Sequence, residues 1–163
     1  MTPLPRALQR HEREVLANHF LALPPIDLSL RFGAAVGEYT IRKYVRQLDF
    51  DRDVVFGVLD ARRLLIGAAH LARGPAFAEL GLSVLPGHRR LGIGSALVSA
   101  SCLRCNEWGV RELFMRCAAT NYPMRNLAQK HGMRVLVEAG DADASLPLPE
   151  LTPPPQTVAL AEA

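Results

Sequence analysis

The stretch Ala78-Glu79-Leu80-Gly81-Leu82-Ser83-Val84-Leu85-Pro86-Gly87-His88-Arg89-Arg90-Leu91-Gly92-Ile93-Gly94-Ser95 decides the fold. Its first seven residues read as a strand, and Pro86-Gly87 ends the run. Ile93, Ala96, Leu97 and Ala100 then recur at helical spacing as far as Gly109, a natural helix stop. A strand therefore feeds a helix through a loop holding two arginines and two glycines. The first turn of a helix has four backbone N–H groups without internal partners, and the dipole makes that end positive. Glycines at 92 and 94 remove side chains that would keep an anion from those groups, and Arg89 and Arg90 add charge beside them. The combination reads as a pyrophosphate site built mainly from main-chain donors; the alternative is a plain helix start after a turn.

Two familiar phosphate loops are excluded. A dinucleotide fingerprint needs a third glycine three residues after Gly94, where Leu97 stands, and a P-loop needs Gly-Lys-Ser/Thr, which is absent.

Working outward, β-rich runs at 54–59, 64–71 and 76–84 are separated by turns at 60–63 and 73–75, the pattern of an antiparallel meander. Beyond the central helix come a strand at 111–117, with Leu113 and Met115 on one face and Phe114 on the other, and a helix at 122–131 closed by Gly132. A strand at 133–137 follows, with 142–148 placed to pair with it. Upstream, Leu8, Val15, Leu16, His19, Phe20 and Leu23 share a face of a helix predicted over 6–23, which Pro24-Pro25 stops. Residues 28–33 read as a loop, and 38–48 as a helix burying Ile41, Tyr44, Val45 and Leu48. The order predicts a mixed α/β architecture with helices on both faces of a sheet. One domain fits residues 1–148, and the Pro-rich 149–163 reads as a flexible tail.

Composition narrows the function. A net charge of +3, from 19 basic against 16 acidic residues, is too mild to imply nucleic acid. The three cysteines, Cys102, Cys105 and Cys117, are too few for a disulfide framework. Cys102-x-x-Cys105 has no second ligand pair at zinc spacing, so no metal is expected. The N-terminus lacks the apolar run of a signal peptide and no run reaches membrane-spanning length, so the chain reads as cytoplasmic.

The segment Arg89-x-x-Gly92-x-Gly94, followed by Ser95-Ala96-Leu97, resembles the acetyl-CoA pyrophosphate motif of the GNAT acetyltransferases. At the expected distance, Asn121-x-x-Met124-x-x-Leu127-x-x-Lys130-x-Gly132-Met133 is similar to that family's Asn-x-x-Ala-x-x-Leu-Tyr-x-Lys-x-Gly-Phe. The resemblance covers about residues 54–137. It implies the GNAT fold, a mostly antiparallel sheet of six to seven strands splayed at the cofactor site. It also implies acetyl-CoA as co-substrate, held by Arg89, Arg90, Leu91, Gly92, Ile93, Gly94 and Ser95. The main chain of Leu82, Ser83 and Val84 is expected to pair with the pantetheine arm like an added strand. Asn121 is expected to contact the cofactor, to cap the next helix, or both. A homodimer is compatible with the family.

Acetyl transfer to an amine needs the neutral amine, which for an alkylamine is about one molecule in 10³ at pH 7. Glu79 is the candidate base, expected to be desolvated among Phe77, Leu80 and Leu82, and in an Ala-Glu-Leu context like that of the proposed base in several family members. Its other reading is a solvent-facing strand residue. His70 is a weaker second candidate. Many members carry a tyrosine acid where this chain has Ala128, which leaves Tyr122, Cys117 or water to protonate the departing thiolate. The resulting expectation is an N-acetyltransferase acting on a primary amine, either a small molecule or a protein lysine, whose start Leu30-Arg31-Phe32 faintly resembles that of protein-lysine acetylating domains. A non-catalytic acyl-CoA sensor is the alternative.

Overall fold

The computed structural model describes residues 3–149. From residue 150 onward, the tail expected at 149–163 lies outside the described residues. Seven strands form one sheet: β1 (Arg6–Ala7), β2 (Val54–Leu59), β3 (Leu65–Arg73), β4 (Phe77–Val84), β5 (Glu112–Ala118), β6 (Arg134–Glu138) and β7 (Asp141–Pro147). Five helices accompany it: α1 (Arg13–Leu21), α2 (Pro25–Phe32), α3 (Glu38–Gln47), α4 (Ile93–Trp108) and α5 (Tyr122–Lys130). The strand order is β1-β2-β3-β4-β5-β7-β6, with β4 and β5 parallel and every other neighbouring pair antiparallel.

Alternation along β4 assigns the faces. Ala78, Leu80 and Leu82 are buried on one side. Glu79, Gly81 and Ser83 lie on the other, opposite Ala72, His70 and Ala68 of β3. Helix α4 covers the first face. It packs so closely that a Cβ on Gly67 would stand 2.6 Å from Ile93 Cγ2. Helices α1, α2 and α3 cover the second, where Phe20, Phe32 and Tyr44 meet edge to face with ring centroids 5.2 to 5.8 Å apart.

Two N-terminal expectations are corrected. The chain from Arg6 does not open as a helix. Arg6 and Ala7 pair with Gly57 and Phe56 of β2, and Leu8 N–H donates to Val55 O at 2.8 Å. Leu8 is buried as expected, but against the sheet, and the helix begins only at Arg13. Residues 28–33 are not a loop. Pro25, which ends one helix, has the fixed φ and missing N–H that suit the first position of the next, and Asp27 favours its positive end. Gly33 closes α2 in the left-handed region at φ 79°.

Beneath α1, His19 is fully buried. Its Nδ1 lies 2.7 Å from Leu65 O, which only accepts, so Nδ1 carries the proton and Nε2 accepts from Ser83 Oγ at 2.8 Å. Burial is the main reason its pKa falls from 6.5 to about 4. Below pH 6.5 the unfolded chain therefore takes up a proton that the folded chain refuses, and stability falls with pH until about 4. Denaturant titrations are expected to show this residue alone removing about 2 kcal/mol between pH 7 and pH 5, a loss that His19→Gln abolishes.

Candidate active site

Strands β4 and β5 pair over only three positions, from Phe77 opposite Glu112 to Glu79 opposite Phe114, and then diverge. Beyond the fork β4 keeps its pairing with β3, and β5 keeps the pairing with β7 that it has along its whole length. The side of β4 facing β5 from Leu80 onward thus has no strand against it. A cavity of about 630 Å³ opens there, lined by α2, the diverging strands, the loop before α4, the first turn of α4, and α5.

The far end of this cavity is the start of α4. Gly92 is its N-cap at φ 82°, no side chain caps the helix, and its first turn holds no acidic residue. The first intrahelical bond runs from Ala96 N–H to Gly92 O at 3.0 Å, which leaves the N–H groups of Ile93, Gly94 and Ser95 for an external acceptor. Arg90 holds φ 61°, a left-handed conformation uncommon for a residue with a Cβ. Leu91 is largely exposed, and the Ile93 side chain is buried, so Ile93 offers the cavity its main chain. Gly94 has a packing role: a Cβ there would meet Leu127 Cδ2 of α5 at 3.1 Å. Ser95 Oγ lies 2.6 Å from His131 Nε2. Arg89 does not hang free over the helix end. Its Nε donates to Val84 O at 3.2 Å and its Nη2 pairs with Asp27 of α2 at 3.0 Å.

Leu82, Ser83 and Val84 all line the cavity. The Leu82 side chain is buried and the Ser83 hydroxyl is held by His19, so both present main chain. Asn121 also lines the cavity and is the N-cap of α5, its Oδ1 accepting from Met124 N–H at 3.3 Å.

The candidate acid–base groups are placed differently. Glu79 is exposed, the last β4 residue paired on both sides, opposite Ala72 and Phe114. The desolvation expected for it is absent, because alternation turns it away from Leu80 and Leu82. Tyr122 is 60% exposed and lies outside the cavity lining, its ring 5.2 Å from the Arg125 guanidinium. Ala128 is buried beneath α5. Cys117 lines the cavity from β5, and burial pushes its thiol pKa up. Among the described residues no group of three metal-ligating side chains gathers.

One constellation escaped the sequence reading. On the α2 face, Arg31 Nη2 donates to Tyr44 Oη at 3.0 Å and Tyr44 Oη lies 2.6 Å from His70 Nδ1. His70 Nε2 donates to Asp53 Oδ2 at 2.9 Å. Asp53 also receives Arg52 Nε at 2.9 Å and Arg73 N–H at 3.0 Å. Burial holds His70 below its ordinary pKa despite Asp53, so the ring is neutral at pH 7. Both its nitrogens are engaged, which removes it as a candidate base. Leu30-Arg31-Phe32 and His70 were each visible, but their joining depends on register and on a helix read as a loop.

The chain from residue 27 to 133 matches the model of the acetyltransferase (GNAT) family. Solved structures share the fold. The GNAT domain of S. lividans PAT is 18% identical with a TM-score of 0.76, covering 88% of this chain and 89% of that one. A phosphinothricin acetyltransferase from Sinorhizobium meliloti, in complex with AcCoA, is 19% identical with a TM-score of 0.73, over 93% and 91% of the two chains. A ribosomal-protein-alanine N-acetyltransferase from Brucella melitensis is 17% identical with a TM-score of 0.70, over 89% and 99%. Comparison with the curated proteins gives no match. Fold and site together define an acyltransferase-type domain with a strand fork and an uncapped helix start. The chain belongs to the GNAT acetyltransferase family.

Gly92 turns the loop into α4 at φ 82°, where a side chain would meet its own backbone. Gly92→Ala is expected to cost about 1 kcal/mol in denaturant unfolding, whereas Gly87→Ala, with open space at its Cβ position and no positive φ, is expected to leave stability unchanged.

Proposed function

We propose that this chain transfers an acetyl group from acetyl-CoA to a primary amine by direct attack in a ternary complex. The fork between β4 and β5, ending on an uncapped helix start, carries the reading. Acetyl-CoA fits this channel: it is extended, has a pyrophosphate partway along, and has amides able to pair with a free strand side. The N–H groups of Ile93, Gly94 and Ser95, with Arg90 nearby, receive the pyrophosphate. Arg89 exchanges part of its contact with Asp27 for the same charge. The main chain of Leu82, Ser83 and Val84 holds the pantetheine arm, and Asn121 presents its amide N–H groups from the opposite wall.

When bound, the co-substrate supplies an activated acyl carbon and a thiolate leaving group. Glu79, at the mouth of the fork, draws a proton from the acceptor ammonium through water, as its exposure requires. With Ala128 on the family's usual acid position and Tyr122 outside the lining, water returns the proton to sulfur, since burial makes the Cys117 thiol the weaker acid. A thiol pKa near 8.5 makes thiolate a tolerable leaving group without a strong acid.

A second reading, an acyl-CoA sensor without turnover, draws support from the exposure of Glu79 and from Ala128. Release of free thiol from acetyl-CoA with a panel of primary amines separates the two. Turnover is expected, and Glu79→Gln is expected to lower kcat by about 10²-fold while the acetyl-CoA dissociation constant stays unchanged. Tight acetyl-CoA binding with no thiol release on any amine favours the sensor.

A further inference from the structure

Arg31 differs from Arg89 and Arg116, which line the same cavity, and unlike the exposed Arg90 it is half-buried. Arg89 has Asp27 as its carboxylate and Arg116 has Asp143, at 3.0 and 2.8 Å. Arg31 makes no ion pair among the described residues, and its buried Nε has no hydrogen-bond partner there. It is a half-buried guanidinium that donates to a neutral phenol, the Tyr44 hydroxyl. Leaving such a charge uncompensated is costly unless a ligand completes it.

The surroundings fix where this charge points its plane. Its Cζ lies 5.0 Å from the Phe32 ring and 5.7 Å from those of Phe20 and Tyr44. It rests flat on β4, because Gly81 has no side chain; a Cβ there would stand 2.6 Å from Cζ. The Tyr44 hydroxyl accepts from Nη2 and passes its own proton towards His70 Nδ1, and His70 is held by Asp53. Asp53 therefore anchors the tyrosine without neutralising the guanidinium directly.

Gly81 is two residues past the last β4–β5 pair, at the vertex of the fork. The start of α4 lies at the other end of the same cavity, beyond Val84, about 10 Å further along the strand. Arg31 is thus too far from the pyrophosphate end to serve it, and it sits where the acyl end of the channel meets the α2 face. A planar guanidinium fork pairs best with a carboxylate.

We infer that Arg31 is the docking residue for a carboxylate on the amine acceptor, so that the enzyme selects amines bearing an acid group over the same amines without one. The inference rests on the acetyl-transfer reading for the position of the acyl end. Arg31 binds the acceptor's carboxylate, and Gly81, Tyr44 and His70 act as positioning residues.

The test compares a free amino acid, its primary amide and an acidic peptide, by thiol release and by calorimetry on the protein loaded with CoA. The expected result is a KM for the free acid about 10- to 100-fold below that for the amide. Arg31→Gln should erase that preference by raising KM for the acid, with affinity for CoA unchanged, and Gly81→Ala should erase the preference as well. Gly81→Ala keeps the charge and displaces it, so the pair stays informative if one variant unfolds. Preference for the acidic peptide over its neutral counterpart, without preference for the free acid, places the carboxylate on a peptide and still supports the subsite. Calorimetric preference for acid over amide with no thiol release leaves the subsite standing and removes acetyl transfer. Equal treatment of acid and amide, and of acidic and neutral peptide, in both rate and binding overturns the inference, as does an unchanged preference in both variants.

Discussion

Everything in this molecule depends on how briefly β4 and β5 stay together. They share three paired positions, after which β5 continues with β7 alone and β4 with β3 alone. Exposed strand edges are normally covered or blunted, because unpaired backbone groups invite another chain. Here the edge lines a cavity instead, and the strand runs directly into a helix whose own first turn is uncapped. Two sets of unsatisfied backbone donors and acceptors therefore face one space. A ligand that is extended at one end and anionic further along satisfies both.

The two faces of β4 divide the remaining work. Leu80 and Leu82 anchor the strand to α4, so the helix start cannot drift from the fork. Glu79, Gly81 and Ser83 face the N-terminal helices. Ser83 is tied to His19, Gly81 lies under Arg31, and Glu79 is open to solvent. Arg89 links the two halves, reaching from the end of β4 to Asp27 at the start of α2.

Legibility followed the range of the interactions involved. The meander, the loop at 85–92 and the Asn121 cap were readable because each is set by neighbours in sequence: alternation, turn residues and helix-end chemistry. The pairing of β1 with β2 was not, since two residues carry no periodicity and Leu8 fits a helical stripe as well as a strand. Helix α2 was missed because Pro24-Pro25 signals a stop and a start with the same residues. The orientation of Glu79 needed the register with β3. The Asp53–His70–Tyr44–Arg31 series joins four elements or their borders, and no local pattern announces it.

The central claim is that the fork and the start of α4 form one acetyl-CoA channel. A crystal structure of the protein with acetyl-CoA tests it most directly. The account predicts the pyrophosphate oxygens about 3 Å from the N–H groups of Ile93, Gly94 and Ser95. It also predicts the pantetheine amides paired with the main chain between Leu82 and Val84, and the acetyl carbon beside Gly81. A cofactor bound elsewhere, or one whose acyl end points away from the vertex of the fork, would contradict it.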